Sequence, residues 1–527
     1  MAKLTVLLPT FNEAHKLKDC LESVKWADEI LLVDSFSTDQ TFEIASRYGA
    51  RIVQHEYINS AKQKNWAIPQ CRHEWVLQID ADERVDPALQ EEIQDLLKSP
   101  APDIDGYLTR TKNHIMDRWV RVMGLYPSYR LRLFRRDSGR FQDREVDARV
   151  IMTGKVRKLD NHVLHYGLET ITQRLLNLDR YTRYESDERN KQGRGFGVIQ
   201  LLARSLGVFL YVYFWQRGFT AGMRGLILAV HRADFIFWTY VKLWERVRPP
   251  KISNGHRVGY HVQTHPSGNG FGPGRRRAKV TVLLPTFNEA DKIQDCLESV
   301  KWADELLVVD SFSTDRTTEI ASGYGARVVQ HEYVNSAKQK NWAIPQCVHE
   351  WVLQVDADER LEPALQEELQ HLLKSPPPDV DGYRVPFKHH ILGEWIKVMG
   401  LYPETHLRLF RRDLGRFQDR EVDAHVMVPG GVGMLSNHFI HYGVENVSQR
   451  LRNLDRYTRY EADERSKQGR RFSVFDLVVR SIGIFFYLYV WQRGFTAGMR
   501  GLILAAHRSD FVFWTYAKLW EKEQRRP

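Results

Sequence analysis

The first part of the chain alternates short apolar runs with longer amphipathic stretches. The runs have the length and composition of buried strands, and the stretches have the three-to-four-residue spacing of helices. The predicted strands are residues 4–9 (LTVLLP), 29–34 (EILLVD), 50–56 (ARIVQHE) and 75–80 (WVLQID). The predicted helices are residues 13–24, 38–49 and 60–68, the second ending in a helix-stopping glycine.

Strands that alternate with helices predict an α/β fold, in which a mostly parallel sheet is covered by helices on both faces. In such a sheet, ligands gather beyond the carboxyl ends of the strands. Glu13, Asp34 and the pair Asp80 and Asp82 all follow strand ends. The pattern therefore predicts that these four acidic side chains meet at one rim of the sheet.

The whole pattern occurs twice. Residues 4–246 align with residues 280–522 at a constant offset of 276 and without a gap. The residues between the copies are rich in Gly, Pro, His and Arg and lack apolar periodicity, which is typical of a flexible linker. The period is far too long for a solenoid and indicates a duplicated domain. The predicted organisation is a first α/β domain (1–197), a first helical segment (198–248), the linker (249–277), a second α/β domain (278–473) and a second helical segment (474–527).

The acidic pair is the first chemical signal. Asp80 and Asp82 end the apolar run "VLQIDADER", and the same arrangement returns as Asp356 and Asp358 in "VLQVDADER". Two carboxylates at positions i and i+2 can both point at one hard cation, leaving room for phosphate oxygens and water. The alternative is a solvated acidic turn that caps the next helix. The position at the end of a buried strand, the recurrence and the other acids on the rim favour the cation site.

Composition and charge narrow the class of partner. The formal charge of +10 and the pI near 9.2 favour anionic partners such as nucleotides, phosphorylated sugars or acidic lipid surfaces. Nucleic acid is not expected, because no recognisable binding module accompanies the basic residues. The four cysteines have no CxxC spacing and are expected to be buried thiols in a reducing compartment. The N-terminal residues enter a strand pattern without a signal-peptide segment, so we expect a cytoplasmic protein.

Several motifs, taken in order, resemble one known family. "LPTFNEA", "VDSFSTDQT", "SAKQKNWAI" and "DADER", followed by "LRLFRRDSGRFQDREV", "LHYG" and "RGFTAGMRGLILA", look like family 2 glycosyltransferases with the GT-A fold. Within that family they are nearest the bacterial lipopolysaccharide-core glucosyltransferases, which act on heptose. The resemblance covers nearly all of both copies. It implies an inverting, metal-dependent enzyme that moves a hexose, glucose by resemblance, from a UDP-sugar to a lipid-linked saccharide such as lipopolysaccharide core.

Two other interpretations stay open. A polyprenyl-phosphate sugar transferase shares the donor-binding half of the fold and would differ in its acceptor. Alternatively, one copy is active and the other is a non-catalytic binding or scaffold copy, although both copies carry the carboxylates.

The resemblance implies roles for individual residues. Glu13 and Asp34 would contact the ribose and uracil of the UDP-sugar, and Asp39 would hold the turn that shapes this pocket. Asp80 would lie near the ribose or the metal, and Asp82 would bind Mg²⁺ or Mn²⁺.

Further residues would complete the site. Lys62 and Asn65 would lie near the nucleotide or diphosphate. His165 in "LHYG" would give a further metal or phosphate contact, unless it is a hydrogen-bonded core histidine. Arg132 in the alternating "RLRLFRR" would contact a phosphate, unless it forms a structural ion pair. In the first copy the predicted donor-site residues are Pro9, Glu13, Asp34, Asp39, Lys62, Asn65, Asp80 and Arg132. Their counterparts in the second copy are Pro285, Glu289, Asp310, Asp315, Lys338, Asn341, Asp356 and Arg408. The predicted metal residues are Asp82 and His165 in the first copy and Asp358 and His441 in the second.

An inverting transferase also needs a carboxylate that takes the proton of the acceptor hydroxyl. Relatives often show a "VHE"-like element where this chain has "REVDARV". Alternation along a strand would place three candidates on one face, and we rank Asp147 first, Asp143 second and Glu145 third. Their counterparts are Asp423, Asp419 and Glu421. The alternative is a mixed-charge edge strand whose acids pair with neighbouring arginines.

The most apolar and aromatic part of each copy lies near its end, at residues 201–245 in the first. The uncharged run between Arg204 and Arg217 is twelve residues, short of the about 20 that a spanning helix needs. Aromatic residues mixed with Arg and Lys predict helices that lie in the interface of an anionic membrane, at the inner face of the cytoplasmic membrane. The alternative is packing on the core or against the other copy, in an intramolecular pseudo-dimer.

The duplication allows one internal comparison. Residues 4–100 differ from 280–376 at 17 of 97 positions, whereas 101–170 differ from 377–446 at 28 of 70. The second stretch is where an acceptor pocket is expected. The contrast favours two active copies that use the same donor on different acceptors, and neutral drift in surface loops is the alternative.

Overall fold

The computed structural model describes residues 1–143, 148–168, 170–193, 195, 197–247, 277–420, 424–443 and 446–525. The chain divides into two compact units, Met1–Trp244 and Glu245–Pro527. Each unit contains one copy of the repeat.

The first unit begins with strands and helices in alternation. Its strands are β1 (Leu4–Thr10), β2 (Glu29–Asp34), β3 (Arg51–Gln54), β4 (Trp75–Gln78), β5 (Glu83–Val85), β6 (Gly106–Ile115), β7 (Arg118–Trp119), β8 (Ser128–Arg135), β9 (Arg140–Phe141), β10 (Val150–Ile151) and β11 (Val156–Leu168). Its helices are α1 (Ala14–Val24), α2 (Thr41–Arg47), α3 (Ser60–Ala67), α4 (Pro87–Lys98), α5 (Ile171–Lys191), α6 (Val198–Leu210) and α7 (Gly222–Val247).

The second unit repeats this order. Its strands are β12 (Val280–Thr286), β13 (Glu305–Asp310), β14 (Arg327–Gln330), β15 (Trp351–Gln354), β16 (Glu359–Leu361), β17 (Val380–Ile391), β18 (Glu394–Trp395), β19 (Glu404–Arg411), β20 (Arg416–Phe417), β21 (Val426–Met427), β22 (Gly431–Met434) and β23 (Phe439–His441). Its helices are α8 (Ile293–Val300), α9 (Thr317–Gly323), α10 (Ser336–Ala343), α11 (Pro363–Leu372), α12 (Val447–Lys467), α13 (Val474–Phe486) and α14 (Gly498–Gln524).

The main sheet of the first unit runs in the order β3-β2-β1-β4-β8-β6-β11-β5. Strands β1 to β4 are parallel, as the sequence predicts, but β8 is antiparallel to both β4 and β6. The sheet is therefore mixed, with a parallel half and an antiparallel extension that the sequence pattern did not resolve.

The parallel strands are apolar on both sides because helices cover both faces of the sheet. Along β1, Val6 and Leu8 belong to the apolar cluster on one face with α1 and α4, whereas Leu7 belongs to the cluster on the other face with α3. All four cysteines are free and buried, as expected from the sequence.

The apolar segment near the end of each copy is helical for longer than its charge pattern suggests. Helix α6 passes through Arg204 and continues as a π-helical turn to Trp215. The stretch Val198–Trp215 has a mean hydropathy of 1.5, Val474–Trp491 has 1.6, and only 11% of each is buried. By length and composition each could cross a membrane. Counting only the uncharged residues therefore underestimated the length of this apolar helical segment.

A buried ion pair holds α7 against α5. Lys242 Nζ lies 2.7 Å from Asp179 Oδ1 and also donates to the Asp179 carbonyl oxygen, and both side chains are buried. The second unit has the same pair, Lys518 and Asp455, at 2.6 Å. The pairs therefore fix how the helical segment of each copy packs.

We expect Lys242→Met to destabilise the first unit by about 3 kcal/mol, because it removes the buried ammonium group that pairs with the Asp179 carboxylate at 2.7 Å. The double variant Lys242→Met/Asp179→Leu removes both charges and should recover most of that loss. Scanning calorimetry of the thermal unfolding of the full chain measures the stability of both variants. Equal unfolding curves for the single variant and the wild type would contradict a stabilising role.

Candidate functional site

The acidic pair lies at the carboxyl end of β4, as the strand pattern predicts. Asp80 Oδ1 accepts a hydrogen bond from Lys64 Nζ at 2.9 Å and another from Gln78 Nε2 at 2.9 Å. The Asp80 backbone amide donates to Glu83 Oε2 at 3.0 Å. Arg84 closes the turn by donating to the carbonyl oxygen of Ala81 at 3.0 Å. The two carboxylates thus stand on a turn whose backbone is tied down.

A second cation lies beneath the pair. Arg132 is buried, donates to Gln78 Oε1 at 2.7 Å, forms an ion pair with Glu83 and lies 3.6 Å from Asp80 Oδ2. Although burial raises the pKa of Asp80, the charges of Lys64 and Arg132 hold it well below its usual range. The structure shows the ion pair for Arg132, and its predicted phosphate contact stays a prediction.

His165 comes from β11 to face Asp82. Its Nε2 lies 3.6 Å from Asp82 Oδ2, and its Nδ1 lies 2.8 Å from Asn113 Oδ1. A Cβ on Gly167 would come within 2.3 Å of His165 Nε2. The glycine of "LHYG" therefore leaves space for the imidazole edge that faces Asp82. Burial raises the pKa of Asp82, but the His165 contact outweighs it and lowers the value, and the same contact raises the pKa of His165 above its ordinary value.

The other predicted acids line the start of α1. Asp34 is buried and accepts from the Ser37 amide at 2.9 Å. Asp39 accepts from the amides of Ala14 at 3.1 Å and Thr41 at 3.0 Å, so it holds the turn as predicted.

Glu13 completes the acidic rim. Burial raises the pKa of Glu13, Lys16 opposes this rise, and the charges of Asp82 and Asp80 add to it. Glu13 therefore lies within electrostatic reach of Asp80 and Asp82.

Helix α3 contributes a residue that sequence analysis missed. Lys62, the predicted lysine, has an exposed side chain, and its role stays a prediction. Lys64 is the buried lysine that reaches Asp80. The signal was present in the sequence, because Lys64 is three residues from Ala61 and Ala67 and so shares their buried helix face.

Two further residues were predicted for the donor site, and that role stays a prediction. Both polar atoms of Asn65 bind the backbone of Phe141, at 2.8 and 2.9 Å, which fixes β9 to α3 and leaves the amide engaged. Pro9 is half-buried near the end of β1, beside Val33 of β2.

The proposed base carboxylates lie between β9 and β10. Asp143 and Asp419 are exposed and lie in bends, so the strand alternation that was to align the three candidates does not hold for these two. Glu145, Asp147, Glu421 and Asp423 lie outside the described residues, and their ranking stays a prediction.

A cavity of about 530 Å³ opens beside His165. It lies between the ends of β6 and β11 and the helices of the same unit, and Asn113, Val208, Leu228 and Phe235 are among its lining residues. Its wall is largely apolar, and His165 connects it to the acidic pair.

The second unit reproduces the core of the site. Lys340 lies 3.1 Å from Asp356, Arg408 lies 3.3 Å from Asp356 and pairs with Glu359, and His441 Nε2 lies 3.5 Å from Asp358 Oδ2. The polar atoms of Asn341 bind the Phe417 backbone, as in the first copy. The remaining counterparts keep their contacts. Asp310 accepts from the Ser313 amide and Asp315 accepts from the Thr317 amide. Burial raises the pKa of Glu289, and Pro285 is half-buried.

The site suits a divalent ion only with help from a ligand. Among the described residues, no group of three or more His, Cys, Asp or Glu side chains could hold a metal. Asp82 and His165 offer one oxygen and one nitrogen donor facing each other. Mg²⁺ in particular is often held by one or two carboxylates together with substrate phosphates, so the donor set fits an ion shared with a diphosphate.

Comparison with known proteins matches this architecture. Residues 5–159 and 281–440 match the family Glycosyl transferase family 2. The lipopolysaccharide core biosynthesis glycosyltransferase LpsC of Rhizobium meliloti is 28% identical over 250 residues, which cover 46% of this chain and 92% of that protein. An uncharacterised glycosyltransferase of Rickettsia felis is 29% identical over 254 residues, covering 46% and 90%.

Solved structures show weaker likeness. One is the structure of S. aureus TarS 1-349, with 16% identity and a TM-score of 0.25, covering 47% of this chain and 91% of that one. Another is the structure of a mannosyltransferase from Pyrobaculum calidifontis with GDP-Man and Mn²⁺, with 17% identity and a TM-score of 0.28, covering 48% of this chain and 89% of that one.

The two family matches together span more than half of the chain, and each falls on one GT-A-type mixed sheet with its acidic strand-end pair. The chain therefore belongs to glycosyltransferase family 2, as a tandem duplication of the family's enzyme domain.

Proposed function

We propose that each copy transfers a hexose from a UDP-sugar to a lipid-linked saccharide, with inversion at the anomeric carbon and with a divalent cation. The observation that carries the proposal is the paired acid site, which recurs in both copies with the same buried lysine and arginine beneath it and the same histidine in front. The name of the Rhizobium meliloti relative, a lipopolysaccharide core glycosyltransferase, supports a saccharide acceptor of this kind.

The donor would lie along the rim between α1 and the acidic pair. Glu13 and Asp34 would bind the ribose and uracil, within the loop that Asp39 holds in shape. Asp82 and His165 would hold Mg²⁺ or Mn²⁺ against the diphosphate. When bound, that ion would act as a Lewis acid that neutralises the charge developing on the departing nucleotide.

The acceptor would approach through the cavity beside His165. A carboxylate of the segment between β9 and β10, Asp147 by our ranking, would take the proton of the attacking hydroxyl. The apolar cavity wall formed by Val208, Leu228 and Phe235 suits the lipid-linked end of such a substrate.

The helical segments would bring the enzyme to the membrane that carries this acceptor. In α6 and the π-helical turn that follows it, Leu201 and Val212 are buried, while Ile199 is 83% exposed and Trp215 80% exposed. In the second unit a cavity of about 440 Å³ beside α13 is lined by four arginines, among them Arg470 and Arg471, and one aspartate. Exposed apolar residues next to cations are typical of surfaces that contact anionic lipid.

We expect Asp82→Ala and Asp358→Ala each to abolish the metal-dependent transfer of one copy, lowering its rate by about 100-fold or more, because each removes the carboxylate donor of the cation. The measurement is UDP release from several UDP-sugars with Mn²⁺, Mg²⁺ or neither, combined with mapping of the linkage that each variant fails to make.

Two different missing linkages would support different acceptors for the two copies. The same missing linkage from both variants, or full activity in either one, would contradict two acceptor-specific copies. Transfer to polyprenyl phosphate instead of lipid-linked core saccharide would favour the polyprenyl-phosphate alternative. UDP release that needs neither cation nor aspartates would overturn the proposed mechanism.

We expect a variant with Ile199→Lys and Trp215→Lys, together with Phe475→Lys and Trp491→Lys, to lose binding to vesicles that contain phosphatidylglycerol. Each exposed apolar side chain kept out of the bilayer should cost about tenfold in partitioning. Co-sedimentation measures this, and Gln200→Lys, which adds one lysine at an exposed polar position, is the control for the effect of each added charge. Unchanged sedimentation of the quadruple variant would show that these faces do not contact lipid.

A further inference from the structure

The two copies differ most clearly in what stands behind the histidine that faces the acidic pair. In the first copy His165 Nδ1 is 2.8 Å from the Oδ1 atom of Asn113. In the second copy the equivalent partner is His389, whose Nδ1 lies 2.9 Å from His441 Nδ1. Behind His389 stands Glu404, where the first copy has Ser128.

The second copy therefore contains a continuous chain of polar contacts. His389 Nε2 lies 2.8 Å from Glu404 Oε2, which is within ion-pair distance but does not have hydrogen-bond geometry in this structure. His406 Nε2 lies 3.1 Å from Glu404 Oε1. At the other end, His441 Nε2 lies 3.5 Å from Asp358 Oδ2. The chain thus has a carboxylate at each end and two imidazoles between them.

A neutral imidazole carries one proton, so its two nitrogens have opposite hydrogen-bonding roles. In the first copy Asn113 donates its Nδ2 to the Leu125 carbonyl oxygen at 3.0 Å, which leaves Oδ1 as an acceptor. His165 must then carry its proton on Nδ1. When the ring is neutral, its Nε2 therefore presents a lone pair towards Asp82.

In the second copy His389 has no such fixed role. If His389 donates from Nε2 to Glu404, its Nδ1 accepts from His441, and His441 Nε2 presents a lone pair as in the first copy. If the chain runs the other way, His389 donates to His441 and the proton of His441 lies on Nε2, pointing at Asp358. Only the first direction leaves a nitrogen that can bind a metal ion.

We propose that Glu404 is a positioning residue of the second copy: acting through His389, it directs the hydrogen-bond chain so that His441 Nε2 presents its lone pair beside Asp358. The inference rests on the proposed role of His441 as a metal ligand. Glu404 does for this copy what the amide of Asn113 does for the other.

The residues around Glu404 keep its carboxyl group ionised, as the proposed role requires. Contacts from His389 and His406 lower the pKa of Glu404 well below its ordinary value, so it is an anionic acceptor at neutral pH. The ring of Phe387 packs against the rings of both His389 and His406, at centroid distances of 5.8 and 5.1 Å, and limits their movement. Its counterpart in the first copy is Thr111, where the histidines are absent.

The test uses the full chain with Asp82→Ala, so that only the second copy can bind the ion. Adding Glu404→Leu removes the acceptor and leaves Asp358 as the only carboxylate at the ends of the chain. We expect Mn²⁺ affinity, measured by electron paramagnetic resonance, to fall by about 10- to 100-fold, as for other partners that orient a metal-bound histidine. In metal-free, mildly alkaline samples labelled with ¹⁵N-histidine, the His441 proton should move from Nδ1 to Nε2, with His441→Gln identifying the signal.

Rescue separates positioning from a general structural role. Adding His389→Asn to Glu404→Leu should restore most of the Mn²⁺ affinity and the Nδ1 proton, because an amide oxygen accepts from His441 without needing Glu404. The matched control is Ser128→Leu with Asp358→Ala, which alters the equivalent position of the first copy and should leave its Mn²⁺ affinity unchanged.

An unchanged His441 tautomer in the Glu404→Leu protein, or failure of His389→Asn to restore it, would overturn the positioning role. If the Asp82→Ala parent binds no Mn²⁺ at all, the proposed metal dependence of this copy fails. The tautomer measured without metal then still decides whether Glu404 sets the direction of the chain.

Discussion

Each site depends on two buried cations placed beneath a pair of acids. Lys64 and Arg132 approach Asp80 from α3 and β8, and their charges keep it ionised although burial opposes this. A buried charge without a partner is strongly unfavourable, so the acids, the lysine and the arginine are stable only together. That requirement couples the parallel half of the sheet to its antiparallel extension, because the lysine comes from one and the arginine from the other. The position of Asp82, and hence of anything it binds, follows from this network.

Comparison of the two copies shows which residues of the site stay the same and which of their neighbours differ. The lysine, the arginine, the acids and the facing histidine are the same in both copies, whereas the wall behind the histidine changes from Asn113, Ser128 and Thr111 to His389, Glu404 and Phe387. These residues lie on the antiparallel strands, outside the ion network, so they can change without leaving a charge unpaired. A fold built this way can keep its ion network while the residues behind the histidine change.

Much of the donor half could be predicted from the sequence, because its signals are local. The four parallel strands, the acidic rim and the turn held by Asp39 follow from apolar runs and from residues that come directly after them. The antiparallel direction of β8 and the full length of α6 could not be predicted in the same way. The first depends on which strand lies beside β4, and the second on Arg204 continuing a helix that a charge count treats as interrupted.

By itself, the sequence determined the duplication, the α/β class and the convergence of acids at strand ends, since periodicity and repetition are properties of neighbouring positions along the chain. Only the tertiary structure decided which cation reaches which acid. It brought Lys64 to Asp80, bound the Asn65 amide to the Phe141 backbone, buried Arg132 in an ion pair and placed His389 beside His441 in the second copy. The physical reason is that an ion pair or hydrogen bond needs a separation of a few ångströms between side chains, and for residues far apart in sequence only the packed fold sets that separation.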